Sequence, residues 1–279
     1  MRPAGFFVSF CFIIPASLLN ILIPLWAWPD ASPSSPPFWQ NVNEAISNST
    51  GVTWHVIINP KNGPDALGNA PKDQLYTDAV AKLNTHQNVI TYGYILTNKA
   101  KAPRDTLTLV NSDVDVYASW KTHPGADISV KGIFFDEVVT KFECPSDTDP
   151  RITHYLDLAK YARSKPGITH VVFNPGDLGP ETLFGSCDYM IEFEKFVGDW
   201  KDKTTLQSFP PANLAKSAAW IKNTEATTDV AGWVTSMKSA GLGAVWFDYP
   251  IDASGKSWGE YKNFEAANLK KLYTAIGSK

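Results

Sequence analysis

Two apolar runs in the sequence end abruptly in carboxylates. Gly132-Ile133-Phe134-Phe135-Asp136-Glu137 carries Ile-Phe-Phe into two adjacent acids, and Asp188-Tyr189-Met190-Ile191-Glu192-Phe193-Glu194 closes on a third. Successive strand residues point to opposite faces, so Asp136 and Glu137 share a site only where the strand stops, which is where they stand. Crowded carboxylates beside bulky apolar side chains separate in pKa: one is raised while another stays ionised. Glycosidic bond cleavage needs such a pair, one to protonate the leaving oxygen and one to act as nucleophile or to activate water. Asp136, Glu137 and Glu194 are therefore the expected catalytic residues. Strand alternation puts Glu192 on the same face as Glu194 but two residues deeper, where burial would demand a partner such as His55. Taken singly, either acidic site would also suit a helix cap or an ion pair with Lys141 or Lys195.

Other chemistries are poorly supplied. The histidines, His55, His86, His123, His154 and His170, have no metal-ligand spacing with one another or with cysteine, and no G-x-S-x-G or phosphate-cradling glycine loop occurs. No metal or other cofactor is expected, and chelators are expected to leave activity unchanged. A net charge of -3 without a basic run gives no footprint for nucleic acid. Aromatic residues make up 13% of the chain, which suits a protein that stacks on sugar rings, although most aromatics fill cores.

The elements that must position these acids follow from residue 52 onward, where short apolar runs alternate with amphipathic ones as in repeated β-α units. Strands are predicted at Thr53 to Asn59, Val89 to Leu96, Val130 to Asp136, His170 to Asn174 and Asp188 to Glu194, with weaker ones at Leu206 to Phe209, Ser217 to Ile221 and Ala244 to Asp248. Helices are predicted at Lys72 to Thr85, Thr106 to Trp120, Asp149 to Ser164, Asp229 to Ala240 and Tyr261 to Ile276. The fold class is α/β, a (β/α)8 TIM-like barrel, irregular around residues 204–222, where there is too little chain for a full helix between two strands. Polar residues collect at the C-terminal ends of the strands, the face where such barrels keep their chemistry. Asn59, Tyr94, Asn174 and Asp248 are expected to line the substrate cleft there. Asn59-Pro60 and Asn174-Pro175 also read as turn starts.

Met1-Arg2 followed by an apolar run from Ala4 to Trp28 reads as a targeting segment. Residues 1–28 are assigned to a signal peptide or signal anchor, residues 29–50 to a Pro/Ser-rich linker and residues 51–279 to the catalytic barrel. The segment up to about residue 40 is expected to be dispensable, and a chain starting near Phe38 to fold. Export places the protein outside the cell or at its surface and makes Asn48, in Asn48-Ser49-Thr50, a glycan acceptor. Cys144 and Cys187 are then candidates for one disulfide.

Five segments in order resemble the spherulation-specific, or spherulin-4-like, family of surface proteins, whose hydrolases form glycoside hydrolase family 135: Val56 to Pro64, Tyr92 to Thr97, Gly132 to Glu137, Val171 to Gly176 and Asp188 to Glu194. The resemblance covers residues from about 52 to 250. It implies a (β/α) barrel, extracellular placement, no metal cofactor, and endo-hydrolysis of an α-1,4-linked galactosamine-rich polysaccharide such as galactosaminogalactan. It places the catalytic acids at Asp136, Glu137 and Glu194. Two segments depart from the family pattern: Phe247 precedes Asp248 where Thr is common, and Asn98-Lys99-Ala100-Lys101 replaces a Gly/Tyr-rich loop. The expected partner is a polysaccharide substrate, with no nucleic acid, membrane contact only through an uncleaved N-terminal segment, and a monomeric chain. A non-catalytic carbohydrate-binding surface or spore-wall protein and a hydrolase of a different glycan are the alternatives.

Overall fold

The computed structural model describes residues 19–29, 37–64, 73–224, 227–249 and 265–278. Eight parallel strands pair in sequence order: β1 (Asn20–Leu25), β2 (Trp54–Ile58), β3 (Val89–Leu96), β4 (Gly132–Asp136), β5 (His170–Asn174), β6 (Tyr189–Phe196), β7 (Ser217–Lys222) and β8 (Ala244–Phe247). β1 pairs with β8 and closes the barrel. Around it lie α1 (Phe38–Ser47), α2 (Gln74–Asn84), α3 (Leu107–Ser119), α4 (Pro150–Arg163), α5 (Lys203–Ser208), α6 (Val230–Ala240) and α7 (Ala266–Gly277). This is the (β/α)8 TIM-like barrel expected from the alternating pattern. Three of its helices, α2, α4 and α6, start where a side chain satisfies a first free N–H group: Asp73, Asp149 and Asp229 accept from the amides of Tyr76, Arg151 and Gly232.

The N-terminal assignment is corrected. Residues 1–18 and 30–36 lie outside the described residues, but Asn20–Leu25, given to the targeting segment, is the first barrel strand, and Phe38–Ser47, given to the linker, is α1. Ile21, Leu22, Ile23 and Leu25 are fully buried, and Phe38, Trp39, Val42, Ala45 and Ile46 of α1 join the core. A strand covered on both faces reads as an unbroken apolar run, the same signal as a targeting core. Pro24 is tolerated because of its place in the ladder. The amide of Asn20 reaches the β8 side and that of Ile21 the β2 side, so the N–H that Pro24 lacks would face β8, beyond the last β1–β8 pair at Ile21.

Two further expectations change. Leu206 to Phe209 is not a strand: Thr205, Leu206 and Phe209 are buried while Gln207 and Ser208 are exposed, a helical spacing, and α5 is followed by a 3-10 turn at Pro211–Lys216. Helical pieces thus fill the irregular region between β6 and β7. Only a 3-10 turn, Glu181–Gly185, lies between β5 and β6. Cys144 and Cys187 are free, buried thiols rather than a disulfide. Cys144 follows the C-terminal end of β4, whereas Cys187 precedes the N-terminal end of β6, so parallel strands hold them at opposite ends of the barrel. Asn48 is exposed where α1 ends, towards the N-terminal ends of the strands.

Inside the barrel, side chains from neighbouring and non-neighbouring strands meet in layers. The lowest layer is polar and aromatic: Asn20 Nδ2 donates to the Tyr189 hydroxyl at 2.7 Å, and the His55 ring contacts Tyr189 and shares a 2.9 Å hydrogen bond with the Tyr92 hydroxyl. Gly132 makes room for Tyr92, since a Cβ there would lie 2.4 Å from that ring. The next layer is an aromatic floor. Phe134 stacks on Trp220 at 5.6 Å and on Tyr94 at 5.7 Å, while Trp26, just past β1, meets Tyr94, Phe134 and Trp220 edge-on.

Candidate active site

Above that floor the apolar side chains give way to Asp136, two residues beyond Phe134 in β4, and to Lys222, two beyond Trp220 in β7, together with Asn174 at the end of β5, Glu194 on β6 and Asp248 just past β8. The Asn174 amide ties the site together: its Nδ2 donates to Asp136 Oδ1 at 2.8 Å and to Glu194 Oε2 at 2.7 Å. The Tyr94 hydroxyl donates to the other oxygen of Asp136 at 2.6 Å, and Lys222 Nζ lies 3.7 Å from Glu194 Oε1. Asn174 Oδ1 also accepts from the Gly176 amide at 2.9 Å, so this side chain both starts the turn after β5 and holds the two acids.

β4 stops at Asp136 because Glu137 takes a left-handed conformation, φ 52°. The Glu137 carbonyl accepts from the Lys99 amide at 2.7 Å, and the buried Thr97 hydroxyl donates to the carbonyl oxygens of Asp136 and Glu137. Asn98, Lys99 and Ala100 also have positive φ. A run of strained non-glycine residues beside a functional centre must be held by its surroundings, here by Thr97 and the ion pair of Lys99 with Glu143. The exposed side chain of Glu137 stands outside the Asn174-bridged pair, but its charge reaches Asp136.

Burial drives the acids' electrostatics. It raises Asp136 above its usual range, against the Tyr94 and Asn174 hydrogen bonds that favour the ionised form. Glu194 is pushed up to about 7 by burial and then by the charge of Asp136, with Asn174 and Lys222 opposing. Asp248 is likewise pushed up to about 7 by burial, with Lys222 opposing and Glu194 adding. A proton donor and an ionised carboxylate can therefore coexist near neutrality.

Glu192 does not share the face of Glu194, and His55 is not its partner. The β6–β7 register slips between Ile191 and Phe193, so Glu192 is the extra residue of a bulge. Its Oε1 accepts from the Gly179 amide at 3.1 Å in the loop after β5. Its Oε2 has no partner among the described residues, and burial pushes its carboxyl up to about 8.

The structure brings Tyr94, Asp136, Glu137, Asn174, Glu194 and Asp248 to one mouth. Asn59 follows β2 at the same end, but no hydrogen bond joins it to the acids among the described residues; its Nδ2 reaches Asn62 at 3.5 Å. Sequence reasoning missed Lys222 and Trp26. Lys222 is one residue beyond the predicted strand end, and counting by two from Ala218 and Trp220 would have found it. Trp26 was hidden in the segment assigned to targeting. Among the described residues no group of three or more His, Cys, Asp or Glu side chains could hold a metal ion.

A family model, spherulation-specific family 4, matches residues 20–276. Among solved structures, Aspergillus clavatus Sph3, described in complex with GalNAc, superposes with a TM-score of 0.76 and 22% identity over 94% of this chain and 98% of that chain. A GH5-4 broad-specificity endoglucanase from Bacteroides salanitronis aligns at a TM-score of 0.49 and 11% identity, covering 95% of this chain and 94% of that chain. No curated protein matches the sequence.

Proposed function

The chain belongs to spherulation-specific family 4, and from that premise we propose that it is a glycoside hydrolase, endo-acting on an α-1,4-linked N-acetylgalactosamine- or galactosamine-rich polysaccharide. The observation that carries this reading is the single Asn174 amide holding Asp136 and Glu194 together at the C-terminal mouth of the barrel. The GalNAc in the Sph3 structure supports the choice of sugar.

In this reading Glu194, raised to about 7, is the proton donor. Its proton passes to the glycosidic oxygen as the bond from C1 to that oxygen breaks. Asp136, whose ionised form the Tyr94 and Asn174 hydrogen bonds favour, attacks C1 and forms a glycosyl-enzyme. Glu194, now a carboxylate, takes a proton from the water that attacks C1 and frees Asp136. The spacing supports this retaining route. One nitrogen at 2.8 and 2.7 Å keeps the facing oxygens no farther apart than those two lengths together, near the roughly 5 to 5.5 Å of retaining pairs and short of the roughly 6.5 Å at which inverting pairs begin. Glu137 adds negative charge at the edge of the mouth.

Reducing-end release from purified galactosaminogalactan, with chitosan as control and the first product's anomer read by NMR, tests the reading. Binding without release would leave a carbohydrate-binding protein instead. Export is part of the same proposal. With β1 starting at Asn20, the apolar run available for targeting is residues 4–19, shorter than the about 20 residues that span a bilayer and within reach of a cleaved signal core of about 7–15. N-terminal sequencing of the secreted protein and deglycosylation at Asn48 check it.

A further inference from the structure

We infer that the Phe196 ring is the stacking platform of a sugar subsite beside the cleavage point, taking a pyranose of the bound chain next to the bond that is broken. This rests on the glycosidase reading above. Phe196 is the last residue of β6, two beyond Glu194, and is 46% exposed. In the β6–β7 ladder Glu194 pairs with Trp220 and Phe196 with Lys222. Paired residues of a ladder and residues two apart in a strand share a side, so Phe196 stands on the same side as the acid, about 6 to 7 Å further out along the strand.

Lys222 links the two. Its Nζ lies 5.5 Å from the centroid of the Phe196 ring and 3.7 Å from Glu194 Oε1. An ammonium within about 6 Å of a ring is attracted to its face, so the same cation orients the acid and anchors the aromatic. The exposed part of the ring is left for a ligand. The C–H groups on one side of a pyranose are the complement of such a face, being apolar and slightly positive against an electron-rich ring.

The other exposed large apolar residues among those described lack this placement. Leu75 and Leu109 are on helices, Trp28 leans on Tyr76 at 5.0 Å, and Phe142 lies in the loop after β4. None shares a strand with a carboxylate of the Asn174-bridged pair.

The test is steady-state kinetics on a panel of galactosaminogalactan, chitosan, soluble starch and cellulose, with Phe196→Ala, Phe196→Tyr and, as a control of equal exposure, Leu109→Ala. On whichever polymer the wild type cleaves, Phe196→Ala should raise KM about tenfold with kcat and melting temperature unchanged. Phe196→Tyr and Leu109→Ala should match the wild type. An unchanged KM for Phe196→Ala overturns the platform while leaving the glycosidase reading intact, and an equal loss in Phe196→Tyr also overturns it. A wild type that cleaves nothing in the panel removes both.

Discussion

Glu194 and Asp136 answer to the same amide, so their roles separate by electrostatics. Glu194→Gln keeps the shape and the bond from Asn174 but has no proton to give. Turnover should drop by about 10²–10⁴, with melting temperature and polymer binding close to wild type. A fully active Glu194→Gln would remove this residue from the chemistry. The wild-type rate should fall as pH rises through about 7, where Glu194 loses its proton. Asn174→Ala removes a donor that favours the ionised forms of both acids, so their pKa values rise further and the acid limb of the rate profile moves to higher pH. A slower Asn174→Ala enzyme with an unmoved profile would mean that the residue serves only the turn after β5.

At the scale of elements, β1 and the β6 bulge make predictions of their own. A chain starting near Phe38 lacks β1 and leaves β2 and β8 unpaired along one edge, so it should fail to fold, whereas one starting at Leu19 should be soluble. Expression and circular dichroism of the two truncations decide this, and a folded, active Phe38 start would place β1 outside the essential barrel. The bulge buries Glu192 with its carboxyl raised to about 8. A carboxyl raised on folding binds more protons in the native than in the unfolded state, so the stability it contributes is present below the unfolded value of about 4.3 and is lost as pH rises through about 8. Glu192→Gln should melt like the wild type at about pH 4 and about 2–4 °C higher at pH 8, for each kcal/mol gained. Equal melting temperatures at both pH values would show that Glu192 titrates normally.

The whole molecule is a closed cylinder whose two ends have different duties, and the free thiols report that polarity. With Cys144 and Cys187 at opposite ends, melting temperature should be the same with and without a reductant. A reductant-dependent melt would require a bridge that the fold does not permit. The interior grades from the polar layer of Asn20, His55, Tyr92 and Tyr189, through the aromatic floor of Trp26, Tyr94, Phe134 and Trp220, to the acids at the mouth. His55 belongs to the lowest layer, where burial pushes it down to about 3 and keeps it neutral, so it takes no part at the mouth.

What the sequence determined by itself was what depends on near neighbours along the chain. Alternating runs specified the barrel, and Ile-Phe-Phe running into Asp136-Glu137 marked a strand end with its chemistry, because the pleat fixes side-chain direction within a strand. Asn174, Glu194 and Asp248 were legible in the same way. What depends on partners far along the chain was decided only by the tertiary structure. β1 is apolar on both sides, and only its pairing with β2 and β8 separates a buried strand from a targeting core. The side on which Glu192 stands is set by a slip against β7, because one extra residue reverses an alternation that local reading extends unbroken. The Asn174 bridge joins residues 38 and 20 positions apart, and closing the barrel is what brings those three side chains within hydrogen-bond reach.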